Sequence, residues 1–467
     1  MNFDSAFYLF CFLPVIMLLH GLIRGARARN VLLLVCGLIF YSFGSLNGLI
    51  LLLASALVNW LLGLGLMAGR GRRALVVLGV AANLLFLAAY KYLDFLLAGV
   101  AGLFGSVWES AGLVAPVGIS FFTFRCISYL VDTYRDSSAG TRSFPRLLLY
   151  ISFFPQLMAG PISRFSDFAS QLESRERGAG ITARGLQRLV IGLGKKLLIS
   201  AAMGDMADAV FSFGGSDIRL AWLGAAAYTL QIYFDFSGYS DMAIGMGQVF
   251  GFASPENFNY PYISASITEF WRRWHISLSS WFRDYLYIPL GGSRRGRRRT
   301  ALNKFIVFTL CGLWHGAAWT FILWGAWHGL FSAMESLKVI DTKRLGSSVP
   351  GRIISHVYTL LVVCLGFVMF RAESVGEGFR ILAAMFTGFD ISTAGTVLLH
   401  SLLDGEGVVM LLLALICCLP LGKRLYERVE NSAAVQWAAP VLCLGLFVLC
   451  LFRLAAGGFS PFIYFQF

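Results

Sequence analysis

Apolar segments close to the length of a membrane span recur along this whole sequence, and they limit what the chain can fold into. A membrane-spanning helix needs about 20 predominantly apolar residues. Several candidates are shorter than that and fit re-entrant segments, so we expect roughly ten to twelve spans. The candidate spans are residues 7–23, 30–43, 48–67, 74–90, 112–131, 147–159, 186–209, 220–236, 303–331, 354–370, 408–421 and 435–452.

Composition agrees with a membrane protein. The 467 residues are 57% hydrophobic and 13% charged, whereas a soluble chain carries about 25% charged residues. No polar stretch is long enough to build a second globular unit. We therefore predict an all-α polytopic membrane protein with about 11 transmembrane helices plus re-entrant or interfacial helices, in which residues 1–467 form a single membrane-embedded domain.

Basic residues cluster in short loops, as the positive-inside rule predicts. The turn at residues 44–48 has no charge, and the run at 293–300 holds five arginines. We expect the basic loops on the cytoplasmic side and the N-terminus in the periplasm. Topogenic loops explain the formal net charge of +13 better than nucleic-acid binding does. The other topogenic residues are Arg24, Arg27, Arg29, Arg70, Arg72 and Arg73.

The cysteines do not indicate a zinc site, and the spacing of two aspartates does not favour paired-carboxylate catalysis. All nine cysteines lie in apolar segments without a CxxC pair, which fits small apolar fillers better than a disulfide framework or a zinc site. Asp235 and Asp241 are six positions apart and so lie on different faces of a helix. A helix-packing role, through Tyr239, Ser237 or an arginine elsewhere, is the better interpretation of both.

Histidines are the candidate catalysts, because ionisable residues inside a membrane segment default to functional hypotheses. His20, His356 and His400 lie near the ends of apolar segments and fit interfacial positions. His315 lies in the middle of the candidate span 303–331. A buried imidazole stays neutral and can accept a proton from a hydroxyl group. On residue chemistry alone, a catalytic His315 and a hydrogen-bonded core histidine are equally good interpretations.

His328 and His275 have different contexts. His328 lies thirteen positions beyond His315, which is about 20 Å along a straight helix. We therefore expect His328 to be structural or to face a different part of a tunnel. His275 follows Arg272 and Arg273. These guanidinium groups could bind an anionic or carbonyl-bearing donor, and they could equally be topogenic or snorkelling groups.

Five motifs resemble those of the membrane-bound O-acyltransferase family. Two contain the candidate histidines, WRRWHISLS at residues 271–279 and LWHG at 313–316. The others are FFPQLMAGPI at 153–162, YFDFSGYSD at 233–241 and DYLYIPLGG at 284–292. Their order and spacing cover nearly the whole chain, and the closest resemblance is to the alginate O-acetyltransferase subgroup, which includes a homologue that serves cellulose acetylation.

The resemblance implies a ring of helices around a central tunnel, and it implies that no cofactor is bound. It implies acetyl-CoA as the cytoplasmic donor, His315 as the general base, and His275 as the group that orients or polarises the thioester. We expect the remaining donor or substrate contacts from Arg272, Arg273, Trp274, Trp314 and Asp235.

The predicted function is O-acetylation of an exported polysaccharide of alginate or cellulose type, from the bacterial inner membrane. The chain ends at Phe467, soon after its last predicted span, which slightly favours cellulose. The expected partners are the lipid bilayer, a separate periplasmic transfer protein and the polysaccharide export machinery, with no nucleic acid. Teichoic acid, peptidoglycan, a lipid or a protein are alternative acceptors. A transporter or flippase is the alternative from another class, although we find no internal repeat.

Overall fold

The computed structural model describes residues 3–69, 71–214, 217–457 and 463, and its regular elements are helices. The predicted all-α membrane fold is confirmed. Arg70, one of the predicted topogenic arginines, lies outside the described residues. The chain groups into two compact units, Met1–Leu189 with Ser240–Pro255 and Val190–Tyr239 with Glu256–Phe467. A single membrane domain stays a prediction.

Unit 1 contains the N-terminal helices. Two further helices, Ala179–Gly194 and Ile218–Val249, contribute residues to both units. The helices of unit 1 are Tyr8–Phe12, Leu13–Leu22, Ala26–Ser42, Leu46–Met67, Arg72–Lys91, Leu93–Leu103, Ile119–Arg135, Ser137–Ala139, Phe144–Ser152, Phe154–Leu157 and Phe165–Ala169.

Unit 2 contains both histidine motifs. Five of its helices surround these motifs and are labelled α1 (Ile267–Arg273), α2 (Ile276–Phe282), α3 (Gly296–His315), α4 (Trp319–Leu337) and α5 (Val349–Arg371). The others are Lys195–Ser200, Ala201–Phe213, Pro261–Ile263, Arg283–Tyr287, Thr342–Leu345, Val375–Thr387, Thr393–Leu402, Gly405–Cys417, Leu421–Val429 and Ala433–Ala455.

Among the described residues, four helices are long and apolar enough to cross a membrane. A fifth span would come from Thr393–Leu402 and Gly405–Cys417, which meet at a bend of 65°. Other predicted spans fall in helices that are shorter, less apolar or more charged, so ten to twelve spans stays a prediction. The four helices are Leu46–Met67, Arg72–Lys91, Val349–Arg371 and Ala433–Ala455.

The predicted span at residues 147–159 is broken in unit 1. The first helix ends at Ser152, and the next turn begins at Phe154 with Pro155 as its second residue. Proline lacks the N–H that a continuing helix needs. Arg125 is buried beside the break and donates hydrogen bonds to the carbonyls of Tyr150 and Gln156, both at 2.9 Å. Its guanidinium group therefore satisfies backbone carbonyls that would otherwise be buried without donors.

The predicted span at residues 303–331 is a hairpin of two helices. Helix α3 ends at His315, and α4 begins at Trp319. A Cβ on Gly312 would lie 3.1 Å from Cα of Gly325, so glycine lets the two helix backbones touch. A Cβ on Gly316 would overlap the ring of Phe321. The hairpin thus places His315 at a helix end and not in the middle of a span.

Candidate active site

His275 lies in the turn between α1 and α2. Its backbone has φ of +43°, in the left-handed region that non-glycine residues rarely adopt. Asn257 holds this turn: its carbonyl accepts the N–H of Ile276 at 2.9 Å, and its side-chain oxygen accepts the Ser277 hydroxyl at 2.9 Å. Backbone strain of this kind persists where surrounding contacts over-determine the conformation, and it is concentrated at functional sites.

The imidazole of His275 is 1% exposed and packs edge-on against Phe236, with ring centres 4.5 Å apart. Neither ring nitrogen has a hydrogen-bond partner among the described residues. Burial lowers the pKa of His275 to about 3, so the ring is neutral at physiological pH. A neutral imidazole whose nitrogens are not engaged by the protein is available to hydrogen-bond a ligand.

His315 is buried at the C-terminal end of α3 among aromatic rings. Its ring centre lies 5.0 Å from Trp314, 5.0 Å from Trp324 and 5.3 Å from Phe370. The Trp314 ring also lies 6.2 Å from His275. Tertiary structure thus brings the two motif histidines, 40 positions apart in sequence, to one indole ring.

His328 belongs to the same cluster, and the straight-helix geometry from which we placed it elsewhere is wrong. The α3–α4 hairpin folds His328 back, so that its ring lies 5.2 Å from Trp324, which itself neighbours His315. Both nitrogens of His328 lack a partner in the described structure. The sequence signal for this arrangement was the Trp-His-Gly motif that occurs twice. The motif could be interpreted only with the knowledge that the helix ends at His315.

A cavity of about 370 Å³ opens beside this cluster. Its lining includes the basic side chains of Arg272, Arg283 and Lys304. It also includes the apolar groups of Trp271 and Cys311. Cys311 lies one helical turn before His315, and the Trp271 ring is 5.6 Å from Trp324, which neighbours His315. At Trp271, the cavity wall is separated from His315 by one further ring, that of Trp324.

Of the other residues predicted to contact the donor, one lines the cavity and two are engaged by neighbouring side chains or backbone. Arg272 lines the cavity. Arg273 is held instead by an ion pair with Glu269 at 2.9 Å and by the carbonyl of Asn259. Trp274 is fully buried and stacks on Phe270 at 5.5 Å.

The two aspartates both form ion pairs. Asp235 is buried and binds Lys196 at 2.7 Å. In unit 1, Asp241 binds Arg188 at 2.9 Å. An arginine partner for Asp241 matches the packing role expected from sequence. Lys196 already engages the Asp235 carboxylate, and donor binding by Asp235 stays a prediction.

Glu335 is a site residue that sequence reasoning missed. Its carboxylate accepts the backbone N–H of Ile267 at 2.6 Å and that of Thr268 at 2.9 Å, and also the Thr268 hydroxyl. These N–H groups lie in the first turn of α1, where a helix offers them no acceptor of its own. Glu335 thereby anchors the helix that carries Trp271 and leads to His275. The only sequence signal was an acidic residue at the end of an apolar helix.

The chain belongs to the membrane-bound O-acyltransferase family, whose model matches residues 102–375. That range contains every element of the site just described. The protein is therefore an acyltransferase, which decides the choice between enzyme and transporter. The resemblance seen in the five sequence motifs is confirmed.

Three relatives show how far the similarity extends. A probable alginate O-acetylase of Pseudomonas putida is 40% identical over the full length of both chains. A peptidoglycan O-acetyltransferase of Helicobacter pylori is 32% identical over all of this chain and 97% of its own. A teichoic acid D-alanyltransferase of Bacillus subtilis is 30% identical over 56% of this chain and 70% of its own.

Proposed function

We propose that this protein is an O-acetyltransferase of the bacterial inner membrane. It takes acetyl groups from cytoplasmic acetyl-CoA and delivers them for O-acetylation of an exported polysaccharide of alginate or cellulose type. The observation that carries the proposal is the burial of His315 one ring beyond Trp271, which lines a cavity with both basic and apolar side chains. The full-length similarity to a probable alginate O-acetylase supports the choice of acceptor.

The cavity suits a thioester donor with a phosphorylated head. Its volume of about 370 Å³ falls within the usual range for ligand pockets. Arg272 and Lys304 supply positive charge for phosphate oxygens, whereas Arg283 also lines the cavity but pairs with Asp284 at 2.7 Å. The apolar wall at Trp271 and Cys311 suits the neutral pantetheine arm. The thioester end then points towards His315, and no metal or bound cofactor is needed.

Proton transfer through His315 completes the chemistry. The His315 imidazole accepts the proton of the acceptor hydroxyl while the hydroxyl oxygen attacks the thioester carbonyl carbon. The carbon–sulfur bond then breaks, and the imidazolium returns its proton to the departing thiolate, so that free thiol and acetyl ester are formed. Exclusion of water by the surrounding rings protects the thioester from hydrolysis. A transient acetyl carrier that forms in the same way is an equivalent first acceptor.

His275 orients the donor in this proposal. Its unpartnered nitrogens are available to hydrogen-bond the donor. The Trp314 ring neighbours both histidines and so links their positions. The strained backbone of His275 fixes the ring before the donor arrives, which reduces the cost of ordering on binding.

A periplasmic transfer protein and the polysaccharide export machinery are the proposed partners, with the N-terminus in the periplasm. Peptidoglycan is the second candidate acceptor, because the H. pylori peptidoglycan O-acetyltransferase also matches over nearly the full length of both chains. The two candidates share one chemistry, which is acyl transfer to a sugar hydroxyl. They differ in the molecule that gains the ester.

The test is ester-linked acetate on the exopolysaccharide of cells that carry this protein or His315→Ala at matched membrane levels. We expect a loss of at least about 100-fold in polymer acetate, since general base catalysis contributes about 10²–10⁴-fold. The matched control is His400→Ala, because His400 is exposed and its ring bonds the carbonyl of Thr396 on its own helix. Acetate that appears on peptidoglycan instead selects the second acceptor, and unchanged acetate on both polymers refutes the proposal.

A further inference from the structure

Trp324 is the central ring of the aromatic cluster around His315. Its ring centre lies 5.0 Å from His315, 5.0 Å from Phe370, 5.2 Å from His328 and 5.6 Å from Trp271. The side chain is 1% exposed. Rings on every one of these sides leave the indole no room to move back, since protein interiors are close-packed.

Trp324 connects the wall of the cavity to His315 through ring contacts. Trp271 lines the cavity and touches Trp324, and Trp324 touches His315. Neither Trp324 nor His315 lines the cavity itself. Along this chain of contacts, a thioester that passes from the cavity wall at Trp271 to His315 meets the indole of Trp324.

The indole N–H of Trp324 adds a polar feature to that surface. It is buried and has no hydrogen-bond partner among the described residues. Buried tryptophan N–H groups usually find an acceptor. A carbonyl oxygen of the donor is an acceptor of the right kind, and it would be held beside His315.

We propose that Trp324, supported by Phe370, limits the transferred acyl group to two carbons. The inference rests on the proposed thioester donor. An acetyl group presents one methyl to the ring cluster, whereas propionyl and butyryl groups add one and two methylenes that meet Trp324 or Phe370. Each methylene that a pocket does not fit changes discrimination by about 10–200-fold. Trp324 therefore determines acyl length, while His315 performs the transfer.

The test uses inverted membrane vesicles from cells that make the acceptor polymer, compares acetyl-CoA, propionyl-CoA and butyryl-CoA as donors, and measures the release of free CoA thiol above a His315→Ala background. We expect the wild type to favour acetyl-CoA over butyryl-CoA by at least about 100-fold. Trp324→Leu and Trp324→Phe should raise the butyryl-to-acetyl ratio by at least about tenfold. Phe370→Leu is a second, independent variant that should raise the same ratio.

Trp327→Phe is the matched control. Trp327 is on the same helix, but its N–H donates to the carbonyl of Val362 at 2.8 Å and its ring packs on Phe331 at 4.7 Å. The ratio should stay at the wild-type value in this variant. A ratio that rises equally in Trp327→Phe would indicate general loosening of α4 and would overturn the assignment to Trp324.

The remaining outcomes are also decisive. Equal use of butyryl-CoA and acetyl-CoA by the wild type overturns the acyl-length proposal alone. A ratio that stays at the wild-type value in both Trp324→Phe and Phe370→Leu, at normal membrane levels, also overturns it, because the rings then do not affect acyl length. A loss of all transfer in both variants overturns it as well, because the rings would then act on His315. If the wild type releases no CoA from any donor above background, the proposed donor fails, and this inference fails with it.

Discussion

The carboxylate of Glu335 accepts the backbone N–H of Thr268 at 2.9 Å and its hydroxyl at 2.6 Å. One residue at the end of α4 therefore sets the start of α1, the helix that precedes His275. The Tyr358 hydroxyl donates to the same carboxylate at 3.3 Å, so α5 contributes to the anchor as well. The position of the first histidine motif thus depends on helices distant in sequence.

Glu335→Ala should destabilise the protein by about 1–3 kcal/mol, because two backbone N–H groups and a hydroxyl lose their acceptor. Glu335→Gln should cost less, since its amide oxygen can still accept one or two of these hydrogen bonds. Thermal unfolding in detergent measures both. Glu430→Ala, at an exposed helix end, is the control and should change the midpoint little. Equal midpoints for Glu335→Ala and the wild type would contradict the anchor.

Arg272 and Arg273 are adjacent but should have different effects on substitution. Arg272→Gln should raise KM for acetyl-CoA by about tenfold with little change in kcat, because a cavity-lining charge bonds donor and transition state alike. Arg273→Gln should leave KM unchanged and lower stability by no more than about 1 kcal/mol, since its pair with Glu269 is partly exposed. CoA release from inverted vesicles gives both constants. A raised KM in Arg273→Gln with an unchanged KM in Arg272→Gln would show that Arg273 binds the donor.

The pair of Lys196 and Asp235 is buried, with side chains 2% and 4% exposed. Lys196→Met should therefore cost about 3–5 kcal/mol, because it leaves a buried carboxylate without its counter-charge. The double variant Lys196→Met with Asp235→Asn should recover much of this loss. Lys423→Met, in an exposed pair with Glu427, is the control and should cost less than about 1 kcal/mol. If Asp235→Asn raised KM for the donor at normal stability, Asp235 would be a binding residue and not a structural one.

His275 should make the stability of the protein fall in acid. Burial lowers its folded-state pKa to about 3, below the ordinary histidine value of 6.5. Below pH 6.5 the unfolded chain binds a proton at this site that the folded protein does not, so stability is lost as pH falls from about 6.5 towards 3. Between pH 7 and pH 5 this residue should remove roughly 2 kcal/mol.

Thermal unfolding of His275→Gln at both pH values measures this contribution. The glutamine variant should lose less stability on acidification than the wild type. His400→Gln, at an exposed site, should lose as much as the wild type. Identical acid sensitivity of His275→Gln and the wild type would show that the folded protein protonates His275.

Many residues of the candidate site could be identified from sequence motifs, but their three-dimensional arrangement could not. The motifs at 271–279 and 313–316 pointed to His275 and His315, and the structure brings both to the ring of Trp314. The same strings could not separate Arg272 from Arg273, because partners such as Glu269 and Asn259 are set by the local fold. They also gave a straight-helix separation between His315 and His328 that is wrong, because the chain turns between His315 and Trp319.

By itself the sequence determined the class of fold and its setting, because lipid leaves backbone polar groups no partner except one another and so turns long apolar segments into helices. It also determined the chemistry available, since two histidines in apolar motifs are the titratable groups suited to acyl transfer. Only the tertiary structure decided which side chains meet. Glu335 reaches Ile267 across 68 positions, and Trp324 lies between a cavity and His315. Contacts of this range depend on how helices pack, which no local pattern encodes.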